Sequence, residues 1–352
     1  MAQVEVKVNN RVSLTKLDAI DAFISSKNKA LMREEYHLIE FLFKLKSFPI
    51  HGLALKWLLT HAEVITSGKK KIEKLQFKFG PRRMATFEPE HMALITGLNF
   101  GHLPDIESDM KTPFLSLFNS ENLENMVFQD VLELLHKYSM IDKDSEIVRK
   151  LVVLYIIYKI VFSMEPKSYI NYRLVIIADD PAQFNAFPWG RKIYDDLVKE
   201  WATLIGKIAN PPKADTEINL RVGVFPFPIQ CWFLEGLTPT QYQLFAKYSS
   251  SNKGNSILPR IFRWDVKKRP DYGTAKRSML NQDEVKLCII FHPFTLCCNL
   301  LQPVATCCTL LQPVATCCTL LHPVAPCCNL LHLVAPCCTL LHPVATCCIL
   351  LS

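Results

Sequence analysis

The sequence contains no charged side chain in its C-terminal part: the last of its 40 Lys and Arg and 33 Asp and Glu residues is Lys286. Cysteine has the opposite distribution, since only Cys231 and Cys288 of the 14 cysteines precede Cys297. The first 290 residues therefore have the charge content of a water-soluble globular domain. Two cysteines exclude a disulfide framework there, and a reducing compartment is the expectation.

Long hydrophobic runs are also missing from the first 290 residues. The longest run, Leu151–Phe162, spans 12 residues and includes Lys159, whereas a membrane-spanning helix needs about 20 apolar residues. The N-terminal sequence MAQVEVKVNN lacks the apolar centre of a secretory signal peptide. We therefore expect a nuclear or cytoplasmic protein without a membrane partner. The net charge of +7 permits an acidic partner but does not require one.

Hydrophobic periodicity predicts a mainly α fold with a few short strands (α+β). Helical spacing runs from Leu31 to Thr66, with Pro49 and Gly52 dividing it and Leu53–Ile65 forming a second helix. Alternation over Lys69–Phe79 predicts a strand. Its buried side chains are expected to be Leu75, Phe77 and Phe79.

The segment Phe87–Gly97 has explicit signals for both ends of a helix. Pro89 is a favoured first helical residue, and Gly97 is placed to end the helix in a left-handed conformation. Met92, Ile95 and Leu98 should form its buried side. Further helices are predicted at Leu123–Lys137, Glu146–Ser163, Ile193–Ile208 and Gln230–Leu237.

The C-terminal segment is a tandem decapeptide repeat that begins at Cys297 with CCNLLQPVAT and recurs nearly unchanged. Three readings give it a structure: a metal site using its cysteines with His322, His332 and His342, a membrane span, or a disulfide-linked solenoid. Adjacent cysteines fit zinc poorly, and recurring prolines interrupt a spanning helix. We interpret the segment as a translated minisatellite and expect it to be unstructured.

Three blocks carry a resemblance to a known family: FGPRRMATFEPEHMALITGLNFGHLP at Phe79–Pro104, FNAFPWGRKIY at Phe184–Tyr194, and GVFPFPIQCWFLEGLTP at Gly223–Pro239. In this order they resemble the plant domain of unknown function that lies upstream of a SUMO-protease-like cysteine peptidase, of the ubiquitin-like protease family, in Mutator-type transposon proteins. The resemblance covers roughly residues 30–240. It divides the chain into an N-terminal segment 1–30, the domain at 31–240, a basic linker 241–290, and the repeat 291–352.

The resemblance brings no catalytic residue to this chain, because the domain has no established activity. The peptidase that often follows it would need His, Asp and Cys, with a Gln before the Cys. Gln230 and Cys231 stand in that order, but Trp232 follows where the family has Gly, and no His–Asp region accompanies them. We interpret the chain as a fragment or decayed copy without its peptidase.

Two groups of basic residues are the candidate nucleic-acid contacts, because Lys and Arg beside aromatic side chains can hold a phosphate backbone. The residues proposed for this role are Lys69, Lys70, Lys71, Arg82, Arg83, Lys267, Lys268 and Arg269. A solvated linker and a nuclear-import segment are the alternatives.

Trp189 and Arg191 are the other polar-aromatic candidates, and they fit either base stacking or a structural role. The structural role places Trp189 in the core at a tight glycine turn and pairs Arg191 with Asp195. His61 and His91 are expected to be ordinary helix residues.

From these patterns we expect a non-enzymatic, transposon-derived interaction domain with no cofactor, no metal and no small-molecule substrate. Its partner would be another protein or DNA. The alternatives are an inactive remnant of a ubiquitin-like-protein-specific cysteine protease family protein, and a nucleic-acid-binding accessory domain.

Overall fold

A computed structural model describes residues 5–46, 48–66, 72–80, 83–105, 112–118, 123–211, 217–237, 239–248 and 259–266. The chain divides into two units, Met1–Leu287 and Cys288–Ser352, and all described residues belong to the first. The decapeptide repeat lies outside the described residues.

The described part of the chain is mainly helical with short strands, which confirms the predicted fold class. Its first half contains β1 (Val6–Asn10), a 3₁₀ helix (Leu14–Ala22), α1 (Ser26–Glu35), α2 (His37–Lys44), α3 (Gly52–Thr60), β2 (Ala62–Thr66), β3 (Ile72–Gly80), β4 (Arg83–Phe87), α4 (Pro89–Thr96) and two 3₁₀ turns (Leu115–Phe118 and Leu123–Asn125). The second half contains α5 (Phe128–Ile141), α6 (Glu146–Ile156) with a π-helical turn (Ile157–Val161), α7 (Tyr172–Asp179), α8 (Pro181–Ala186), α9 (Trp189–Ala209), β5 (Ile218–Val222), α10 (Phe227–Gly236), α11 (Pro239–Tyr242), β6 (Ala246–Tyr248), a 3₁₀ turn (Arg260–Arg263) and β7 (Trp264–Val266).

The strands form three small sheets. β2, β3 and β4 make an antiparallel meander, β1 pairs in parallel with β5, and β6 pairs with β7. The β1–β5 pairing aligns Val6 with Ile218 and Asn10 with Val222. This pairing therefore brings the N-terminal segment into contact with the end of the predicted domain. The two strands are separated in sequence by most of the described chain.

The core lies where β3 packs against α9 and α10. The predicted inward face of β3 is confirmed, because Leu75, Phe77 and Phe79 are all buried. Trp232 on α10 contacts both phenylalanines, with ring centroids 5.1 Å from Phe77 and 5.8 Å from Phe79. Such aromatic contacts add to the free energy gained by removing the rings from water.

Two helix predictions in the first 66 residues are wrong in their extent. Tyr36 interrupts the first helix in an extended conformation, with φ −115° and ψ 100°, and its hydroxyl donates to Ala178 O at 3.1 Å. Asn185 Oδ1 accepts from the His37 backbone N at 2.9 Å, at the start of α2. Hydrogen bonds to Ala178 and Asn185, which are distant in sequence, thus compensate for the break in the helix.

The helix predicted at Leu53–Ile65 ends at Thr60, and the following residues form β2. Val64 pairs with Leu75 and Ala62 with Phe77 on β3. The short sequence AEVIT is compatible with either conformation, and its β-branched residues favour the strand once a partner strand is available.

The prediction for α4 is confirmed at both ends. Glu88 is the N-cap residue and Pro89 the first helical residue, while Gly97 has a left-handed φ of +66°. Met92 and Ile95 are buried as predicted, and Leu98 is half-buried. The helices predicted at Glu146–Ser163 and Ile193–Ile208 correspond to α6 with its π turn and to α9, whereas α5 begins at Phe128 rather than Leu123.

Among the described helices, none combines the length and the apolar character that crossing a lipid bilayer requires.

Candidate functional site

The Gln230–Cys231 pair has a structural role in α10. The Gln230 side chain is completely buried. Its Oε1 accepts from the His51 backbone N at 2.7 Å, and its Nε2 donates to Pro49 O at 2.9 Å. Both ends of the amide therefore hold the connection between α2 and α3, and neither is directed at a reacting group.

Cys231 lies in the same buried layer. Its thiol is fully buried, and burial raises the pKa of the thiol well above the usual value, with the Glu235 carboxylate raising it further. A thiol with a raised pKa is a poor nucleophile because little thiolate forms near neutral pH. The described neighbours of Cys231 thus favour a core residue.

Trp189 and Arg191 occupy the positions that the structural interpretation predicted. The Trp189 indole is buried, and its Nε1 donates to Phe184 O at 2.8 Å. Arg191 pairs with Asp195 at 3.0 Å. The predicted tight glycine turn is wrong, because these residues form the first turn of α9. Gly190 is needed there for space, since a Cβ atom would lie 2.5 Å from the Phe100 ring.

His61 and His91 both have local structural partners. His61 stacks on Trp57 with ring centroids 4.3 Å apart, and its Nδ1 lies 2.8 Å from Trp57 O. The His91 Nδ1 accepts from the Glu88 backbone N at 3.0 Å, which closes the N-terminus of α4. Burial lowers the pKa of each imidazole.

The predicted nucleic-acid contacts fall almost entirely outside the described residues. This applies to Lys69, Lys70, Lys71, Arg82, Lys267, Lys268 and Arg269, and to the side chain of Arg83. Lys71 adjoins the start of β3, and Arg82 precedes β4. The nine residues of β3 lie between these two halves of the first group in the sequence.

The two lysines between those ends are paired with acids. Lys74 Nζ lies 2.8 Å from Glu88 Oε1, and Lys78 pairs with Glu63. The middle of β3 is therefore electrically balanced.

A surface groove of about 720 Å³ lies between α1, α2, the end of α4 and the turn that begins at Pro259. We name it the α2–α4 groove. Residues from α1 and α2 form one side, the end of α4 forms the other, and the turn after Pro259 closes it. The lining residues are Ala30, Arg33, Glu34, His37, Glu40, Phe41, Lys44, Thr96, Gly97, Leu98, Pro259 and Phe262.

The floor of the groove is apolar. The Phe41 and Phe262 rings meet edge to face with centroids 5.5 Å apart. Pro259 comes so close to α4 that a Cβ atom on Gly97 would lie 2.9 Å from its Cγ atom. The left-handed conformation and this contact both require glycine at position 97.

A buried ion pair attaches the wall that contains Phe262 to α10. Arg260 Nη1 lies 3.2 Å from Glu235 Oε2, and both side chains are 15% exposed. Burial raises the pKa of the Glu235 carboxyl, while the Arg260 guanidinium lowers it. The segment 259–266, which the sequence analysis places in the basic linker, therefore packs against α10.

The charged groups of the groove are balanced. Glu40 pairs with Arg33 at 2.8 Å and approaches Lys44 at 3.5 Å. Glu34 and His37 are exposed, and neither has an ionic partner within the described part of the chain. This combination of an apolar floor and both charge signs can bind a ligand, and the lining contains no nucleophilic thiol.

Within the described ranges, no group of three or more His, Cys, Asp or Glu side chains could hold a metal ion. The groove was not predictable from the sequence, because its three walls come from separate parts of the chain. The exposed charges of α1 and α2 were visible, but their position opposite Leu98 and Phe262 was not.

A family model described as Domain of unknown function (DUF1985) matches residues 68–200. No curated protein and no solved structure matches the chain. The match includes the α4 side of the groove, whereas α1, α2 and Phe262 lie outside it. The prediction that the chain carries a domain of unknown function is therefore confirmed for residues 68–200.

Proposed function

We propose that the first 290 residues of this protein, which we call the body, form a non-enzymatic interaction module. This module binds an extended protein segment in the α2–α4 groove. The observation that carries the proposal is the charge balance of the groove over its apolar floor. Two cations, Arg33 and Lys44, face two carboxylates, Glu34 and Glu40. A polyanion would need an excess of positive charge, whereas a peptide supplies both signs and apolar side chains.

The origin that we propose follows the sequence resemblance: a plant transposon-derived protein, acting in the nucleus, whose ancestor carried a ubiquitin-like protease domain. The family match to a domain of unknown function agrees with this proposal without identifying the source. Gln230 and Cys231 support the non-enzymatic part, since both are committed to the core.

Peptide selection tests the groove directly. Random peptides are selected on the full chain, and their affinities are compared with a variant that exchanges two groove charges, Glu34→Lys with Lys44→Glu. The exchange keeps the net charge and changes exposed side chains. We expect Kd to rise about tenfold, which corresponds to ~1.4 kcal/mol.

The matched control makes the same exchange on α5, with Glu133→Lys and Lys137→Glu, both exposed and neither part of the groove lining. This control should bind the selected peptides as the wild type does. Failure to select any peptide, or equal losses in both variants, would contradict binding in the groove.

The protease-remnant alternative has a separate test. The full chain is incubated with a ubiquitin-like protein carrying a thiol-reactive C-terminus, and covalent adducts are measured with wild type and Cys231→Ala. The buried thiol should form no adduct in the folded protein. A wild-type adduct that Cys231→Ala abolishes would establish a cysteine protease and overturn the non-enzymatic proposal.

A further inference from the structure

A row of basic side chains crosses one end of the β1–β5 pair, far along the chain from the predicted nucleic-acid contacts. The exposed positions of β5 alternate with buried ones, and Arg221 is exposed. It pairs in register with Asn9, which is also exposed. The chain of β1 continues to Arg11, whose backbone N donates to Val222 O at 2.9 Å. Because side chains alternate along a strand, Arg11 and Arg221 share this outer face.

Two lysines extend the row beyond the end of β1. Lys16 Nζ donates to the Arg11 carbonyl O at 2.8 Å, so its ammonium group lies against the strand end. Burial and the positive charge of Lys159 lower the pKa of Lys16, the Glu165 carboxylate raises it, and Arg11 lowers it. Lys159 comes from the π-helical turn after α6. Four cations from four separate elements therefore lie on one surface.

Two acidic side chains, Glu165 and Glu200, lie near these four cations and balance only part of their charge. Glu165 pairs with Arg11 at 3.1 Å and is exposed. Glu200 interacts electrostatically with Arg11, and its two oxygens accept from Gly223 N at 2.8 Å and Val224 N at 3.0 Å. Lys159 and Arg221 have no carboxylate partner among the residues that the structure describes. Most of the other described Lys and Arg side chains that lie near acidic residues, including those of the α2–α4 groove, form ion pairs with them.

The backbone beside Lys159 has two features that reduce stability. Ser163 has a left-handed φ of 47°, and its buried hydroxyl has no hydrogen-bond partner among the described atoms. It directly follows the π-helical turn and Phe162. Strained residues and π turns are enriched at functional sites. The strained Ser163 and the π-helical turn lie beside Lys159, which has no acidic partner among the described residues. This backbone observation is independent of the number of charges on the surface.

We propose that Arg11, Lys16, Lys159 and Arg221 form a binding site for the phosphate groups of a nucleic-acid backbone. The ligand is a polyanion because four cations face only two carboxylates, Glu165 and Glu200, which leaves an excess of positive charge. Phosphate contacts of this kind position a duplex without reading its sequence. The site differs in residues and location from the α2–α4 groove, and it does not depend on peptide binding there.

The test measures binding of the full chain to a fluorescent mixed-sequence DNA duplex over a range of salt concentrations. The variant carries Lys159→Gln and Arg221→Gln, the two cations without acidic partners. Losing two phosphate contacts should raise Kd at least about tenfold and reduce the slope of log K against log salt by about two. Thermal melts of both proteins establish that the variant is folded.

The control carries Lys27→Gln and Lys137→Gln, which remove the same charge from exposed positions on α1 and α5. It should keep the wild-type slope. Absence of salt-dependent binding by the wild type, or equal losses in the variant and the control, would overturn the proposal. An unchanged slope in the Lys159–Arg221 variant would do the same and would assign DNA binding to other basic residues.

Inorganic phosphate distinguishes a backbone site from a small-anion site. Phosphate should displace the duplex no more strongly than chloride at equal ionic strength, because a polyanion gains from releasing many counterions at once. Displacement by phosphate well beyond the chloride control would show a site for the free ion and would overturn the nucleic-acid assignment.

Discussion

At the scale of single residues, Gly97 couples the end of α4 to the turn that begins at Pro259. Its φ of +66° is costly for a residue with a side chain. A Cβ atom there would also lie 2.9 Å from Pro259 Cγ. The first constraint was predictable from the sequence, because glycine commonly ends a helix in a left-handed conformation. The second depends on a residue far along the chain and could not be found in this way.

Gly97→Ala should therefore lower the free energy of unfolding by about 1–3 kcal/mol, the usual cost of an unfavourable backbone conformation. Urea denaturation measures the change. The control is Gly206→Ala on α9, where an added Cβ atom meets nothing within 4 Å. Because alanine is the better helix former, this control should raise the free energy of unfolding by roughly 0.5–1 kcal/mol. Equal effects at both positions would contradict the argument.

His51 is buried, and it makes the stability depend on pH. Burial lowers the pKa of its imidazole below the unfolded value of 6.5. Below pH 6.5 the unfolded chain therefore binds a proton that the folded protein excludes. The stability contribution is fully present above this pH and is lost as the pH falls, with a slope of at most about 1.4 kcal/mol per pH unit.

His51→Gln should reduce the loss of unfolding free energy between pH 7.5 and pH 5.5 by about 1 kcal/mol. Denaturation of wild type and variant at both pH values gives the difference. Burial raises the pKa of the Glu200 and Glu235 carboxyls, which act in the opposite direction. Both are present in the two proteins, so their effect cancels. Identical pH dependence would show that His51 titrates normally.

At the scale of elements, the sequence predicted the helix ends that depend on nearby residues, but not those that depend on contacts with distant segments. α4 was predictable because its proline and glycine act within one turn of the helix. The end of α3 was not, because the residues of β2 become a strand only through pairing with β3. The break at Tyr36 contains no proline or glycine, and its compensating bonds come from Ala178 and Asn185.

Gln230 illustrates an element-scale contact that a motif search would assign to chemistry. Its amide joins α10 to the chain between α2 and α3. Gln230→Ala would remove the hydrogen-bond partners of the buried His51 N–H and of the half-buried Pro49 carbonyl. Each unsatisfied group costs about 1–3 kcal/mol.

We therefore expect Gln230→Ala to lower the free energy of unfolding by roughly 2–4 kcal/mol, measured by urea denaturation. The same substitution at Gln183, which is exposed on α8, should change it by less than about 0.5 kcal/mol. A small effect at Gln230 would mean that the α2–α3 connection does not depend on the amide.

At the scale of the whole molecule, the sequence predicted the helices and strands of the fold but not the contacts between distant segments that close it. β1 meets β5, and the Pro259 turn closes the α2–α4 groove. Both contacts join segments from opposite ends of the body. Hydrophobic periodicity reports which side of an element is buried but does not report its neighbour. The groove and the basic row were therefore outside the reach of pattern analysis, although their individual charged residues were visible.

The C-terminal segment of the body shows how far this closure matters for stability. Residues after 240 contribute the buried side chains of Phe245, Ile261 and Trp264. They also supply Arg260, the partner of the buried Glu235. Truncation after residue 240 would expose the apolar surfaces that these side chains cover and leave a buried carboxylate without its cation. Breaking a buried pair in this way costs about 3–5 kcal/mol before the lost apolar burial is counted.

The chain 1–240 should accordingly melt at least ~10 °C below the chain 1–290, since for a protein of this size 1 kcal/mol corresponds to a few degrees. Circular dichroism melts of the two proteins measure the difference. Arg260→Met in the chain 1–290 separates the causes, because it removes only the cation. If this variant accounts for the whole decrease, the ion pair dominates, whereas a larger loss in 1–240 shows that aromatic and aliphatic burial closes the body. Equal melting of 1–240 and 1–290 would place the end of the cooperative unit at residue 240.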